Sequence, residues 1–168
     1  MDDDFFDPTT VPISRGGTVV FDYVGAQHHT ATDSSGLDLY DSGTVSGGGP
    51  STWFSFDAAG VYHFTCTLHP WMGGRVEVPV RAAPSSGGLN KRFTITWASA
   101  APVAGLVYDV QIKRPGGDWK AWPDGVVGLS KTFRADKGTG TYRFRARTRD
   151  AEGASSLWSL DAHITVTR

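Results

Sequence analysis

Short stretches in which apolar and polar residues alternate recur along the whole chain, and none of useful length carries the apolar period of a helix. In the first half these stretches fall at about residues 18–23, 29–32, 52–56, 60–66 and 74–80. In the second half they fall at about 93–97, 107–113, 131–134, 140–149 and 163–167. Gly, Pro, Asp or Ser separate them, as turns between strands require. Residues 34–50, mostly Gly, Ser and Asp, read as a long exposed loop. The pattern predicts an all-β chain built from sandwiches.

The alternation breaks once. Residues 76–80 read as a closing strand. The stretch Arg81-Ala82-Ala83-Pro84-Ser85-Ser86-Gly87-Gly88-Leu89-Asn90 follows, and a fresh pattern starts at Phe93. This predicts two domains, 1–80 and 91–168, with 81–90 as a linker. Charge divides at the same place. Residues 1–80 hold Arg15 and Arg75 against ten carboxylates, whereas 91–168 hold thirteen basic and seven acidic residues. The acidic first half would either steer a basic partner or keep the chain soluble.

A net charge of -1 and the lack of a nucleic-acid motif argue against nucleic-acid binding. No apolar run approaches the roughly 20 residues of a transmembrane helix. The start, Met1-Asp2-Asp3-Asp4, is acidic where a secretory signal is basic. It reads as a solvated, disordered beginning, either of a cytosolic protein or of a chain whose leader is not present.

There is one cysteine, Cys66, so no intramolecular disulfide can form. A lone cysteine is a buried hydrophobe, a nucleophile or a metal ligand. Its surroundings are Gly60-Val61-Tyr62-His63-Phe64-Thr65-Cys66-Thr67-Leu68-His69-Pro70-Trp71-Met72-Gly73-Gly74. A period of two puts Tyr62, Phe64 and Cys66 on one face and Val61, His63 and Thr65 on the other. Cys66 thus ends a core-facing row. Just beyond it, an imidazole follows after three residues and a thioether after three more. Thiolate, imidazole and thioether at the mouth of a sandwich suit copper, because soft sulfurs hold Cu(I) and imidazoles serve both oxidation states. The segment Gln27-His28-His29-Thr30-Ala31-Thr32-Asp33 offers a second imidazole.

On these residues the first half resembles a small cupredoxin of the plastocyanin/amicyanin type. That family has a ligand histidine before a Thr- or Val-rich strand, then Gly-x-Tyr-x-Phe-x-Cys, a short ligand loop and a closing Gly-x-Val strand. The resemblance implies a Greek-key sandwich and one type 1 (blue) copper site, Cu(I)/Cu(II), with His29, Cys66, His69 and Met72 as ligands. His29 fits the family position, and neighbours on a strand face opposite ways, which turns His28 out of the site. The resemblance also implies single-electron transfer, with a redox partner docking near His69, Pro70 and Trp71. Trp71 reads equally as packing over the loop. With five histidines and no His-x-His pair, further copper centres are not expected. The chain is therefore expected to be a carrier and not an enzyme.

The second half resembles a fibronectin type III domain through Phe93-Thr94-Ile95-Thr96-Trp97, Val107-Tyr108-Asp109-Val110-Gln111-Ile112 and Thr141-Tyr142-Arg143-Phe144-Arg145-Ala146-Arg147, with Trp158-Ser159 beyond. Tyr142 stands where that fold places its tyrosine corner. Arg143, Arg145, Arg147 and Arg149 share the outward face. They would grip an anionic surface or acidic partner, or stack on Trp158. The resemblance implies a spacer or binding platform, and together the halves imply a secreted or bacterial cell-envelope protein. Copper sequestration or delivery, and an adhesion module with structural copper, are the competing readings.

Overall fold

The computed structural model describes residues 1–168 and contains strands but no helix. The first half holds β1 (Thr10–Pro12), β2 (Gly17–Phe21), β3 (Thr32–Asp33), β4 (Thr52–Phe56), β5 (Gly60–Thr65) and β6 (Gly73–Val78). There follow β7 (Arg81–Ala83), β8 (Ser86–Gly88), β9 (Phe93–Thr96), β10 (Val107–Lys113), β11 (Trp119–Ala121), β12 (Ser130–Phe133), β13 (Gly140–Arg149) and β14 (Ala162–Thr167).

These strands form two sandwiches. In the first, the sheet β1-β6-β5-β3 is accompanied by the antiparallel pair β2-β4. Alternation buries Val19 and Phe21 of β2, Phe56 of β4, Tyr62 and Phe64 of β5, and Val76 and Val78 of β6 in one core. Phe64 meets Phe6 and Phe21 edge-on, at centroid distances of 4.7 and 5.2 Å. Gly74 makes room for this cluster, since a Cβ there would overlap the Phe64 ring. In the second, the sheet β11-β10-β13-β14-β8 is accompanied by β12-β9-β7. Its core includes Phe93, Ile95, Trp97, Val110, Ile112, Tyr142, Phe144 and Ile164. The Tyr142 hydroxyl accepts from Lys137 N–H at 2.9 Å and donates to Gly138 O at 2.9 Å, closing the turn before its own strand.

Two expectations are corrected. Residues 81–90 are not a free linker: β7 pairs with β9, and β8 pairs in parallel with β14. Small residues leave the backbone free to pair at a sheet edge, and this pairing needs no apolar alternation. Residues 34–50 form no named strand, yet Leu37 and Tyr40 are buried, and Val45 exchanges both backbone hydrogen bonds with His29 at 2.9 Å.

The halves are joined through backbone as well as side chains. Ala58 and Ala59, from the turn before β5, pack into the second core. Val61 and Leu157 exchange backbone hydrogen bonds at 3.0 Å in both directions. Next door, Ser156 N–H donates to Thr148 O at 3.0 Å. The buried Tyr62 hydroxyl donates to Ala58 O at 2.9 Å and lies 3.1 Å from Thr148 Oγ1. Burial pushes the Tyr62 phenol well above its ordinary pKa, which keeps it a proton donor.

The arginine face is also settled locally. Arg145 lies between Trp119 and Trp158, 4.3 and 4.8 Å from their ring centroids, and Arg147 stacks on Trp158 at 4.7 Å. Arg147 and Arg149 share the buried Asp109 carboxylate at 3.1 and 2.8 Å, and Arg143 meets Asp161 at 3.5 Å. Each guanidinium therefore has a partner within the chain.

Candidate metal centre

The centre lies where β5 runs out. Cys66 follows the strand directly and is fully buried at the end of the Tyr62–Phe64 row. The next six residues form two successive turns. His69 N–H reaches Cys66 O at 3.3 Å, and Met72 N–H reaches His69 O at 2.8 Å. This explains the spacing of three: each sulfur or nitrogen side chain starts or ends a turn. Pro70 occupies the second position of the second turn, where its fixed φ suits the bend. The loop is then tied back on itself, with Cys66 N–H donating to Met72 O at 3.1 Å and the Thr65 hydroxyl to the same oxygen at 2.9 Å.

The second wall comes from residues 27–33. His29 is fully buried and anchored by its bridge to Val45, whereas His28 is exposed and lies 3.2 Å from Ser46 Oγ. Thr30 ties this wall to the loop. Its hydroxyl oxygen accepts Thr67 N–H at 2.9 Å, and its own N–H points at Cys66 Sγ at 3.4 Å.

His29, Cys66 and His69 offer ligand atoms that lie within 4.8 Å of one another. Both rings turn Nδ1 toward the thiol, at 3.9 Å for His29 and 3.5 Å for His69. Bonds of about 2.0 Å to nitrogen and 2.3 Å to sulfur, meeting at 120° on one ion, would separate N from S by about 3.7 Å. The two separations bracket that value, so the three donor atoms stand close enough to share one ion. Two imidazoles and a thiolate form the donor set in which copper carries electrons. Met72 is fully buried at the end of the same loop. His63, by contrast, is exposed on the outer face of β5.

Exposure is uneven around the centre. His29, Cys66 and Met72 are shielded, His69 is half-buried, and Leu68, Pro70 and Trp71 are exposed. The Trp71 ring, 69% exposed, stands 5.3 Å from the His69 ring centroid to centroid. The Trp71 ring thus packs against His69 over the loop while most of its surface faces solvent.

Two neighbours of the centre escaped the sequence reading. Asp3, expected in a disordered start, lies with Oδ1 3.5 Å from His29 Nε2. Its carboxyl is held below the ordinary range, chiefly by the Gln27 N–H, against the opposing effect of burial and with help from His29. Gln27 Oε1 stands 3.0 Å from His69 Nε2. No periodicity or spacing signals either contact, because both join residues remote in sequence through side-chain tips.

No family model matches the chain, and no curated protein matches it. Among solved structures it is similar to a purple cupredoxin from Nitrosopumilus maritimus, at 28% identity and a TM-score of 0.41, over 44% of this chain and 81% of that one. It is also similar to a human fibronectin type III domain, at 21% identity and a TM-score of 0.39, over 52% of this chain and 80% of that one. A Fn3-like protein from Clostridium thermocellum aligns at 16% identity and a TM-score of 0.37, over 53% and 88%. The cluster of His29, Cys66 and His69 fits a blue copper site on its own geometry.

Proposed function

We propose that the chain binds one copper ion, which would be held by His29 Nδ1, Cys66 Sγ and His69 Nδ1 with the Met72 thioether as a fourth donor, and passes single electrons to and from a partner protein. The observation that carries this reading is the pair of Nδ1–Sγ separations, 3.9 and 3.5 Å, in a buried frame stitched by backbone hydrogen bonds. Copper bound there would supply the one-electron couple. The chain's own residues do the rest. The two turns and the Thr30–Thr67 bond hold the ligand atoms in place, so a change of oxidation state moves them little. Burial of His29, Cys66 and Met72 would keep water off a bound ion. His69 is the remaining ligand that reaches the surface, and the exposed apolar ring of Leu68, Pro70 and Trp71 around it suits brief docking of a redox partner.

In this reading residues 1–80 are the copper domain, and residues 81–168 are a platform that includes the former linker as its first strands. Envelope or secreted placement follows from the same resemblance, and no helix of the chain is long and apolar enough to cross a membrane.

Reconstitution with Cu(II) tests the proposal. The expected product has an intense visible thiolate-to-Cu(II) band and a reversible voltammetric wave, and Cys66→Ser removes the band. A colourless protein that holds only Cu(I) would replace electron transfer with storage or delivery. Unchanged copper affinity and spectrum in Cys66→Ser would refute the ligand assignment.

A further inference from the structure

Each imidazole at the centre turns one nitrogen inward and one outward, and both outward nitrogens face the same small structure. His69 Nε2 is 3.0 Å from Gln27 Oε1. His29 Nε2 is buried without a well-aligned hydrogen bond, and the group it faces is Asp3 Oδ1 at 3.5 Å. These two residues are themselves joined, since Asp3 Oδ1 accepts the Gln27 N–H at 2.8 Å. The approach depends on Gly25, where any Cβ would overlap the Asp3 carboxylate. One carboxylate oxygen thus touches the first imidazole and orients the residue that touches the second.

The chemistry of this arrangement is specific. A neutral imidazole binds a metal through the nitrogen that lacks a proton, and the hydrogen bond made by the other nitrogen selects which that is. Carboxylate and amide oxygens accept and do not donate. An acceptor at each Nε2 keeps the proton there and leaves the Nδ1 lone pair pointing at Cys66. We propose that Asp3 and Gln27 act together as positioning residues that fix the tautomer and ring orientation of His29 and His69 before copper arrives. The inference rests on the copper reading above. It adds that the negative charge of Asp3, beside one ligand ring, favours Cu(II) over Cu(I).

The test has a metal-free part and a copper part. At one pH well above the ordinary imidazole range, long-range nitrogen–proton NMR of the apo chain should show His69 as the Nε2–H tautomer. Gln27→Ala should turn it into a mixture, and Gln27→Glu, which keeps an acceptor, should restore it. In Cu(II) titrations Asp3→Asn and Gln27→Ala should each weaken binding by about 10-fold or more. Voltammetry of Asp3→Asn should show a higher reduction potential than the parent chain. Gln27 is exposed, so its variants keep the fold and carry the test even where Asp3→Asn unfolds. A wild-type His69 protonated on Nδ1, which the reversed Gln27 amide would produce, overturns the inference, as does an unchanged tautomer and affinity in Gln27→Ala. A chain with the expected tautomers that fails to bind copper refutes the copper reading and leaves the clamp standing.

Discussion

Replacing Tyr62 by Phe removes one oxygen atom from the seam between the two sandwiches. That oxygen donates to Ala58 O at 2.9 Å and lies 3.1 Å from Thr148 Oγ1, with no water access. Each hydrogen bond contributes about 1 kcal/mol net, and a buried partner left unsatisfied adds to the loss. Tyr62→Phe should therefore cost about 2–3 kcal/mol. Thr148→Val alone removes one of the two bonds and should cost about 1 kcal/mol. Combining them removes the orphaned threonine hydroxyl, so the double variant should be more stable than additivity predicts by about 1 kcal/mol. Urea unfolding measures all three. With a slope of about 2 kcal/mol/M, the Tyr62→Phe midpoint should fall by roughly 1 M at unchanged slope. Because the lost bonds span both halves, the fluorescence of the second core and the near-ultraviolet signal of the first should shift together. Costs that add within about 0.3 kcal/mol, or a transition confined to one half, would refute the coupling of the sandwiches through Tyr62.

Two further outcomes follow from the second sandwich. Arg145→Ala empties the slot between Trp119 and Trp158 and should lower stability by about 1–2 kcal/mol in thermal unfolding, and Arg145→Lys should recover only part of it because an ammonium cannot stack as a plane. Asp109 gives a pH dependence: burial alone would raise its pKa, but hydrogen bonds from Arg149, Gly125 N–H and Arg147 hold it below the ordinary range. The unfolded state then binds the proton first as pH falls below about 4, so stability present above that pH is lost on acidification. Asp124, raised chiefly by its hydrogen bond to Asp109, acts in the opposite sense at higher pH. Asp109→Asn should flatten the acid limb of a stability-versus-pH curve; an unchanged limb would show that the depressed carboxyl lies elsewhere.

What could be read from the chain depended on whether a residue's role is local. Period two along residues 60–66 places Cys66 inward, and the spacing Cys66, His69, Met72 is the spacing of two consecutive turns, so the loop was legible before any coordinates. Alternation likewise sends neighbouring residues opposite ways, and His29 is indeed buried while His28 is exposed. Asp3 and Gln27 were not legible, because their positions depend on how the start of the chain crosses residues 25–27, a contact with no periodic signature. Residues 81–90 misled because composition reports side chains, while β7 and β8 are held through the backbone. The arginine face was half legible: alternation set its direction, but only the fold places Trp119 opposite Trp158 around Arg145.

The adjacent bonds of Ser156 and Leu157 have a mechanical consequence. Ser156 gives its N–H to Thr148 of β13, and the very next residue exchanges both backbone bonds with Val61 of β5. Two consecutive residues therefore weld two ladders edge to edge, and β5 is the strand that Cys66 directly follows. A twist of one sandwich against the other must tear this weld before it can bend the chain at residues 81–90. Whatever grips the second half consequently also sets the bearing of the Trp71 rim, which sits on a stiff mount with no slack tether in between.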